Sequence, residues 1–229
     1  MEIPTKEYVL ENVTFQLVSN EKYYDALMTR PFINVPGMDD VAAIYNVPVE
    51  EDGKQFGLAV NDLLMEKLDI TSSELENAAM ENIKMESVSF TSIEDMMNRL
   101  LPNELNGIFG EENSVPVEES MLCVLTNETG FHGARVLLKE GLLEKISERL
   151  GDNLIILPSS IHEVLIVRES AAGEMSELRG IVQEINKSVL SEGDFLSDNI
   201  YKFDAKEKEL STVSVTAKEI DLGLDSCAI

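Results

Sequence analysis

Ser159, Ser160, His162 and Glu163 bring two hydroxyls, an imidazole and a carboxylate within a few residues of one another, and His132 is the second of two histidines. Those are the side-chain types of a serine hydrolase: a nucleophilic hydroxyl, a base within hydrogen-bond reach, and an acid that orients the base. In that reading Ser160 or Ser159 attacks, His162 takes the proton and Glu163 steadies the imidazole. The spacing argues against it. Adjacent residues on an extended chain point to opposite faces, so triad members this close in sequence seldom converge. The stretch lacks a Gly-x-Ser-x-Gly elbow, and no oxyanion nest is evident. Hydroxyls that follow a proline bond more simply to nearby backbone, as turn residues do, and His162 then caps the turn or pairs with a carboxylate. No catalytic residue is assigned on this reading; Ser160, His162 and Glu163 are the candidates to test.

Metal and cofactor chemistry have less to build on. His162-Glu163 is not a His-Glu-x-x-His helix motif, and His132 would have to be brought close by the fold. The carboxylates show no EF-hand spacing, and Glu51-Asp52-Gly53 reads as a turn. The glycines form neither a GxGxxG fingerprint after a strand nor a Walker loop, so no cofactor is expected. Met96-Met97 and the 10 methionines read as core filler before they read as a peptide groove.

The elements that carry the candidate residues are easier to see. Leu154 to Leu157 and Val164 to Val167 are apolar, β-branched runs separated by Pro158-Ser159-Ser160. They read as two antiparallel core strands joined by a tight connection, a central hairpin over residues 153–167. Before it, Gly133 to Leu150 reads as a helical region ended by Gly151. After it, Glu174 to Asn186 repeats apolar residues at helical spacing, and Ile200 to Phe203 gives a strand. Thr212 to Val215 adds an edge strand.

The front half begins with an alternating strand, Val13 to Val18, and a short helix, Glu21 to Met28, capped by Asn20. Val41 to Val49 and Gln55 to Val60 flank the turn at Glu51-Asp52-Gly53. Two helices follow. The second opens on the capping-box spacing Thr71 and Glu74, with Leu75, Ala78, Ala79 and Ile83 on one face. Val88 to Phe90 is a short strand, and Thr91 and Glu94 repeat the capping-box spacing. The segment 102–120, rich in Asn, Gly, Glu and Pro, reads as an acidic linker between an N-terminal lobe (1–101) and a C-terminal lobe (121–229). The fold expected is α+β: two lobes of mixed or antiparallel sheet with helices on one face, in an order that suggests a duplicated β-α-β-β-α-β unit.

Charge narrows the function classes. The net charge is −25 over 229 residues, with 44% hydrophobic residues. A chain of this length buries roughly 70% of its unfolded surface, so a sizeable core is expected. Its negative field repels phosphate backbones and anionic bilayers, which excludes direct nucleic-acid binding. No run of apolar residues is long enough to span a membrane. Cys123 and Cys227 allow at most one bridge, Cys123 lies in an apolar run, and the N-terminus has no signal-peptide pattern, so a reducing cytoplasm is the expected compartment.

The string Ile156-Leu157-Pro158-Ser159-Ser160-Ile161-His162-Glu163-Val164 resembles that of a bacterial domain-of-unknown-function family. Members read much like Leu125-Thr126-Asn127, then Gly133-Ala134 at a helix start, then Leu-Pro-Ser-Ser-Ile-His-Glu, then Leu196-Ser197-Asp198 ahead of Tyr201. The front half is similar through Leu17-Val18-Ser19-Asn20 and the Asp-x-Ala-x-x-Tyr segment, Asp40 to Tyr45. Most of residues 10 to 205 are covered. The resemblance implies a bacterial, cytosolic protein of a family sometimes associated with mobile elements. It implies no activity and carries over no catalytic residue. Three functions remain in view: a non-catalytic interaction module meeting a protein partner, a small serine hydrolase using Ser160, His162 and Glu163, and an acidic DNA mimic directed at a nucleic-acid-binding protein.

Overall fold

The computed structural model describes residues 4–51, 54–100, 114–188, 190, 191 and 193–214. In chain order they form α1 (Lys6–Asn12), β1 (Thr14–Ser19), α2 (Tyr24–Leu27), β2 (Phe32–Asn34), β3 (Val41–Glu51), β4 (Lys54–Ala59), α3 (Asp62–Leu68), α4 (Ser72–Met85), β5 (Val88–Ser92) and α5 (Ile93–Leu100). The second half adds β6 (Cys123–Asn127), a 3₁₀ segment (Gly133–Leu138), α6 (Leu142–Leu150), β7 (Leu154–Pro158), β8 (Val164–Arg168), a short 3₁₀ turn (Glu169–Ala171), α7 (Met175–Ser188), β9 (Tyr201–Asp204) and β10 (Glu209–Thr212). The fold is α+β with two antiparallel sheets. One holds four strands: β3 pairs with β1 on one edge, and with β2 and then β4 along the other. The second holds six strands in the order β10-β9-β7-β8-β6-β5.

The expected hairpin is the centre of the larger sheet. β7 and β8 pair from Leu154↔Arg168 to Pro158↔Val164, and all five residues of β7 are buried. Burying each such Ile or Leu side chain contributes about 2 kcal/mol. Its even and odd positions face different cores. Leu154 and Ile156 join the main core, together with Phe15 and Leu17 of β1, Leu75 and Ile83 of α4, and Leu143 and Ile146 of α6. Ile155 and Leu157 face the other way and are covered by Val182 of α7. A third, small cluster of Val18, Ala42 and Ile44 lies under Tyr23 and Leu27, around α2. Helices therefore cover both faces of the six-stranded sheet, not one face as the sequence suggested. The reason is the β7 pattern: a strand buried on both sides needs a helix layer on each.

Several local expectations are met and others corrected. Thr71 and Glu74 form a complete capping box on α4, and Gly151 ends α6 in the left-handed region at φ 68°. Asn20, expected to cap a helix from Glu21 to Met28, instead donates its amide to the Asp39 carbonyl, and α2 is only Tyr24–Leu27. The chain needs Asn20 to hold the entry to β3, where its N–H also bonds the Asp40 carbonyl. Thr91 does not cap α5. The strand runs on through Ser92, whose hydroxyl accepts from the Asp95 N–H, and the Glu94 carboxylate accepts from Ser120. The helical region from Gly133 is broken by Gly141 (φ 69°) into the 3₁₀ segment and α6. The last edge strand is Glu209–Thr212, a few residues before the one expected.

The two halves do not repeat one arrangement. β5, which precedes the segment 102–120, is the edge strand of the six-stranded sheet through its pairing with β6, and the main core draws on both halves. Residues 102–113 of the expected linker, and Asp52-Gly53 of the expected front turn, lie outside the described residues. Beyond them, the Val115 N–H donates to Asp95 and Val117 is buried in the main core.

Candidate functional site

The connection between β7 and β8 is built by its own polar groups. The Ser160 N–H donates to the Glu163 carbonyl at 3.2 Å, and the Ser160 hydroxyl accepts from the His162 N–H at 3.0 Å. This is the hydroxyl-to-backbone turn that a Pro-Ser-Ser sequence favours. Ser160 is buried. Ser159 and Glu163 approach one another only at 3.5 Å.

The turn is clasped by two other segments. From β6, the Thr126 hydroxyl donates to the His162 carbonyl at 2.8 Å. At the start of the 3₁₀ segment, the Ala134 N–H reaches the Ile161 carbonyl. Gly133 sits where a side chain cannot: a Cβ there would lie 2.0 Å from the Thr126 hydroxyl, 2.5 Å from the His162 carbonyl oxygen and 2.8 Å from the Asn127 nitrogen. From the third side, the Asp194 carbonyl accepts from the Ile161 N–H.

His162 fills the centre. The backbone N–H of His132, held left-handed at φ 50°, donates to His162 Nδ1 at 3.1 Å. His162 Nε2 lies 3.2 Å from Asp194 Oδ1, and Ser191 donates to the other Asp194 oxygen at 2.7 Å. An N–H pointing at Nδ1 requires a lone pair there, so the proton of the neutral ring sits on Nε2 and donates to Asp194. The Phe131 and His132 rings stack at 3.9 Å between centroids, and His132 lies 5.5 Å from His162. Burial, followed by the neighbouring His162 and Arg135, pushes the His132 imidazole down to about 4. The Ser191 hydroxyl first, then His162, holds the Asp194 carboxyl below the usual carboxylate range.

The candidates from the sequence are thus neighbours without being a relay. A general base needs a free lone pair aimed at the nucleophile. The one on His162 is taken by His132 N–H, and the Ser160 hydroxyl contacts the His162 backbone. What the arrangement does chemically is tie β6, the hairpin turn, Ser191 and Asp194 together. Sequence reasoning missed Asp194, Phe131 and Gly133 as parts of it. No spacing rule links Asp194 to His162 across 32 positions.

A second polar knot joins the two sheets. The Tyr201 hydroxyl lies 2.7 Å from Asp40 Oδ1 and 2.7 Å from Ser197 Oγ, and Ser197 donates to Asp40 Oδ2 at 2.6 Å. Tyr201 is fully buried, which drives its phenol upward. A third tie pairs Arg135 with both carboxylate oxygens of Glu86.

Among the described residues, these knots stand apart from a cleft that reaches the main core. A cleft of about 650 Å³ lies between β2, α4, the 3₁₀–α6 junction and the β9–β10 hairpin. Its walls include Ile33, Met80, Leu138, Leu143, Phe203 and Leu210, and Glu76, Glu140, Glu144 and Glu209 also line it. Lys208 at its mouth is paired with Glu144.

Residues 2–205 match the model of a family of unknown function, DUF5688. The chain belongs to that family. No curated protein and no solved structure matches the chain. Several residues that carry the family resemblance fall at the two knots: Ser160, His162 and Thr126 at the first, Asp40, Ser197 and Tyr201 at the second. For this member of DUF5688, those segments are where distant parts of the chain are fastened. Among the described residues, no group of three or more His, Cys, Asp and Glu side chains is placed to hold a metal ion. No described helix is long and apolar enough to cross a membrane.

Proposed function

We propose that this DUF5688 protein is a non-catalytic interaction module whose cleft receives a basic, apolar segment of a protein partner. The observation that carries the reading is the cleft itself: apolar walls continuous with the main core, edged by four glutamates of which Lys208 pairs with Glu144. Apolar walls supply the burial that drives association, and four lining glutamates against two lining lysines, Lys139 and Lys208, select the sign of the partner. The net charge of −25 extends that selection to long range and speeds encounter with a cationic partner at low salt. A cytoplasmic setting accords with Cys123, which is buried and free, its thiol donating to the Val117 carbonyl.

The test is a fluorescence-anisotropy titration with a labelled peptide of alternating lysine and valine, against a control of alternating glutamate and valine. The basic peptide is expected to bind, more weakly as salt rises, and the acidic one not to bind. Combining Glu76→Lys, Glu140→Lys and Glu209→Lys is expected to cut affinity for the basic peptide at least about tenfold, as loss of three favourable charge pairings would. Equal binding of both peptides, or undiminished binding by the triple variant, overturns the reading.

A further inference from the structure

The cleft is bordered by two strand edges, and the fold treats them differently. On β10, pairing with β9 runs through Val213, whose N–H bonds the Ile200 carbonyl, so alternation turns the backbone groups of Leu210 and Thr212 outward. That edge is closed. The Leu210 carbonyl lies so near Gly37 that a Cβ there would fall 2.0 Å from its oxygen, and the Thr212 hydroxyl donates to the Gly37 carbonyl. Gly37 is left-handed, at φ 80°, and the turn it makes stops β10 from accepting another strand.

β2 has no such guard. The Ile33↔Ala43 register and the bond from the Val35 N–H to the Val41 carbonyl turn Ile33 and Val35 toward β3. The N–H and C=O groups of Phe32 and Asn34 therefore face away from β3. Among the described residues none of these four groups has a hydrogen-bond partner. Ile33 and Asn34 line the cleft, and Phe32 is 41% exposed. An edge with free backbone groups beside an apolar cavity is the arrangement that receives an added strand, in which main-chain bonds give affinity and alternate side chains enter the pocket.

We infer that the partner segment binds in extended form, adding as a strand to the outer edge of β2 with its alternate apolar side chains in the cleft and its long basic side chains, which leave from the opposite face, curling over the cleft edge toward Glu76, Glu140 and Glu209. This rests on the cleft reading above and specifies how the cleft is used. A helical segment satisfies its own backbone and would leave the Phe32 and Asn34 groups unpaired, so the free edge selects the extended form.

The experiment uses the full chain and the lysine–valine peptide, with two further versions N-methylated at every valine or at every lysine. N-methylation removes the amide donors on one edge of a strand while keeping charge and side chains. One of the two versions is expected to lose at least about tenfold in affinity, the scale of one to two lost hydrogen bonds. Asn34→Pro removes an outward donor without touching the β2–β3 pairing, as a proline on an edge strand can, and is expected to weaken the parent peptide similarly. Its circular dichroism and melting temperature report separately whether the variant folds. If both N-methylated peptides bind like the parent, strand addition is wrong while the cleft reading stands. If the parent peptide does not bind the wild-type chain, the cleft reading itself fails.

Discussion

Replacing Gly133 by alanine tests the clasp around the hairpin turn at its tightest point. The added Cβ would meet the Thr126 hydroxyl at 2.0 Å, the His162 carbonyl oxygen at 2.5 Å and the Asn127 nitrogen at 2.8 Å, all inside the 3.0 Å that real Cβ contacts essentially never breach. Thr126 can rotate away, but only by giving up its bond to the His162 carbonyl, a loss of about 1 kcal/mol. The other two atoms belong to the backbones of β6 and the turn, so those segments must move apart. Forcing a methyl into a packed site costs about 1–3 kcal/mol, and the two effects together come to about 3 kcal/mol. For a chain of this size that lowers the melting temperature by about 6–12 °C. Differential scanning calorimetry of Gly133→Ala reads the shift. Gly180 is the control: it lies within α7 and a Cβ there meets nothing within 4 Å, so Gly180→Ala should raise stability by up to about 1 kcal/mol through helix propensity. A Gly133→Ala protein melting within about 2 °C of wild type would refute the close approach of β6, the turn and the 3₁₀ segment.

Three further outcomes follow from the same geometry. Because the His132 imidazole is pushed down to about 4 from an ordinary 6.5, the unfolded chain binds a proton between those values that the fold does not. Stability from this group is thus complete above pH 6.5 and falls as pH drops toward 4; after discounting for solvent screening, about 1 kcal/mol is lost between pH 7 and 5. His132→Asn, which keeps a left-handed backbone accessible, should shrink that pH dependence by the same amount in denaturant titrations at the two pH values. Tyr201→Phe removes the hydroxyl that meets Asp40 and Ser197 and should cost about 2 kcal/mol, typical of a hydrogen bond to a charged group; an unchanged unfolding free energy would dismiss the knot. A fluorophosphonate probe should leave the native protein unlabelled, because the His162 lone pair is already engaged; labelling of Ser160 that disappears in His162→Ala would restore the hydrolase reading.

The parts of the fold legible in the sequence are those whose cause is local. Leu154 to Val167 announces a hairpin because apolar β-branched runs broken by Pro-Ser-Ser have few other conformations. Thr71 and Glu74 announce a helix start because both halves of the capping box lie within one turn. Asn20 misled for the complementary reason. Its residue type suits a cap, yet the Asp39 carbonyl, distant in sequence, claims its amide. β5 was readable as a strand but not as a member of the later sheet, since β pairing across a long intervening segment leaves no periodic trace. The same holds for the candidate site. His162 and Ser160 stand out by their chemistry, whereas Asp194, which accepts the hydrogen bond of His162 Nε2, has nothing beside it in sequence to mark the role. Asp40, Ser197 and Tyr201 each lay in a segment quoted for the family resemblance, but only the folded chain shows them in one knot.

The three ties share a placement that bears on what the cleft is for. His162–Asp194 fastens the hairpin turn to the segment ahead of β9, Asp40–Tyr201 fastens the start of β3 to β9, and Glu86–Arg135 fastens the end of α4 to the 3₁₀ segment. Each polar bond contributes only about 1–3 kcal/mol; Asp40–Tyr201 bridges the two sheets, and the other two fasten elements packed around the main core. Between β2 and α4 on one wall of the cleft, and α6 and the β9–β10 hairpin on the other, no described hydrogen bond or ion pair joins the lining residues across the gap. The contacts that close its end, Leu210 against Gly37 and Thr212 on the Gly37 carbonyl, act as a stop at one extremity. A core held firmly on its other flanks and unfastened along one apolar seam can admit a ligand by small separation of the walls, without disturbing the pairing inside either sheet. On the reading proposed above, that division of labour leaves rigidity to the segments that carry the family resemblance and binding to the seam between them.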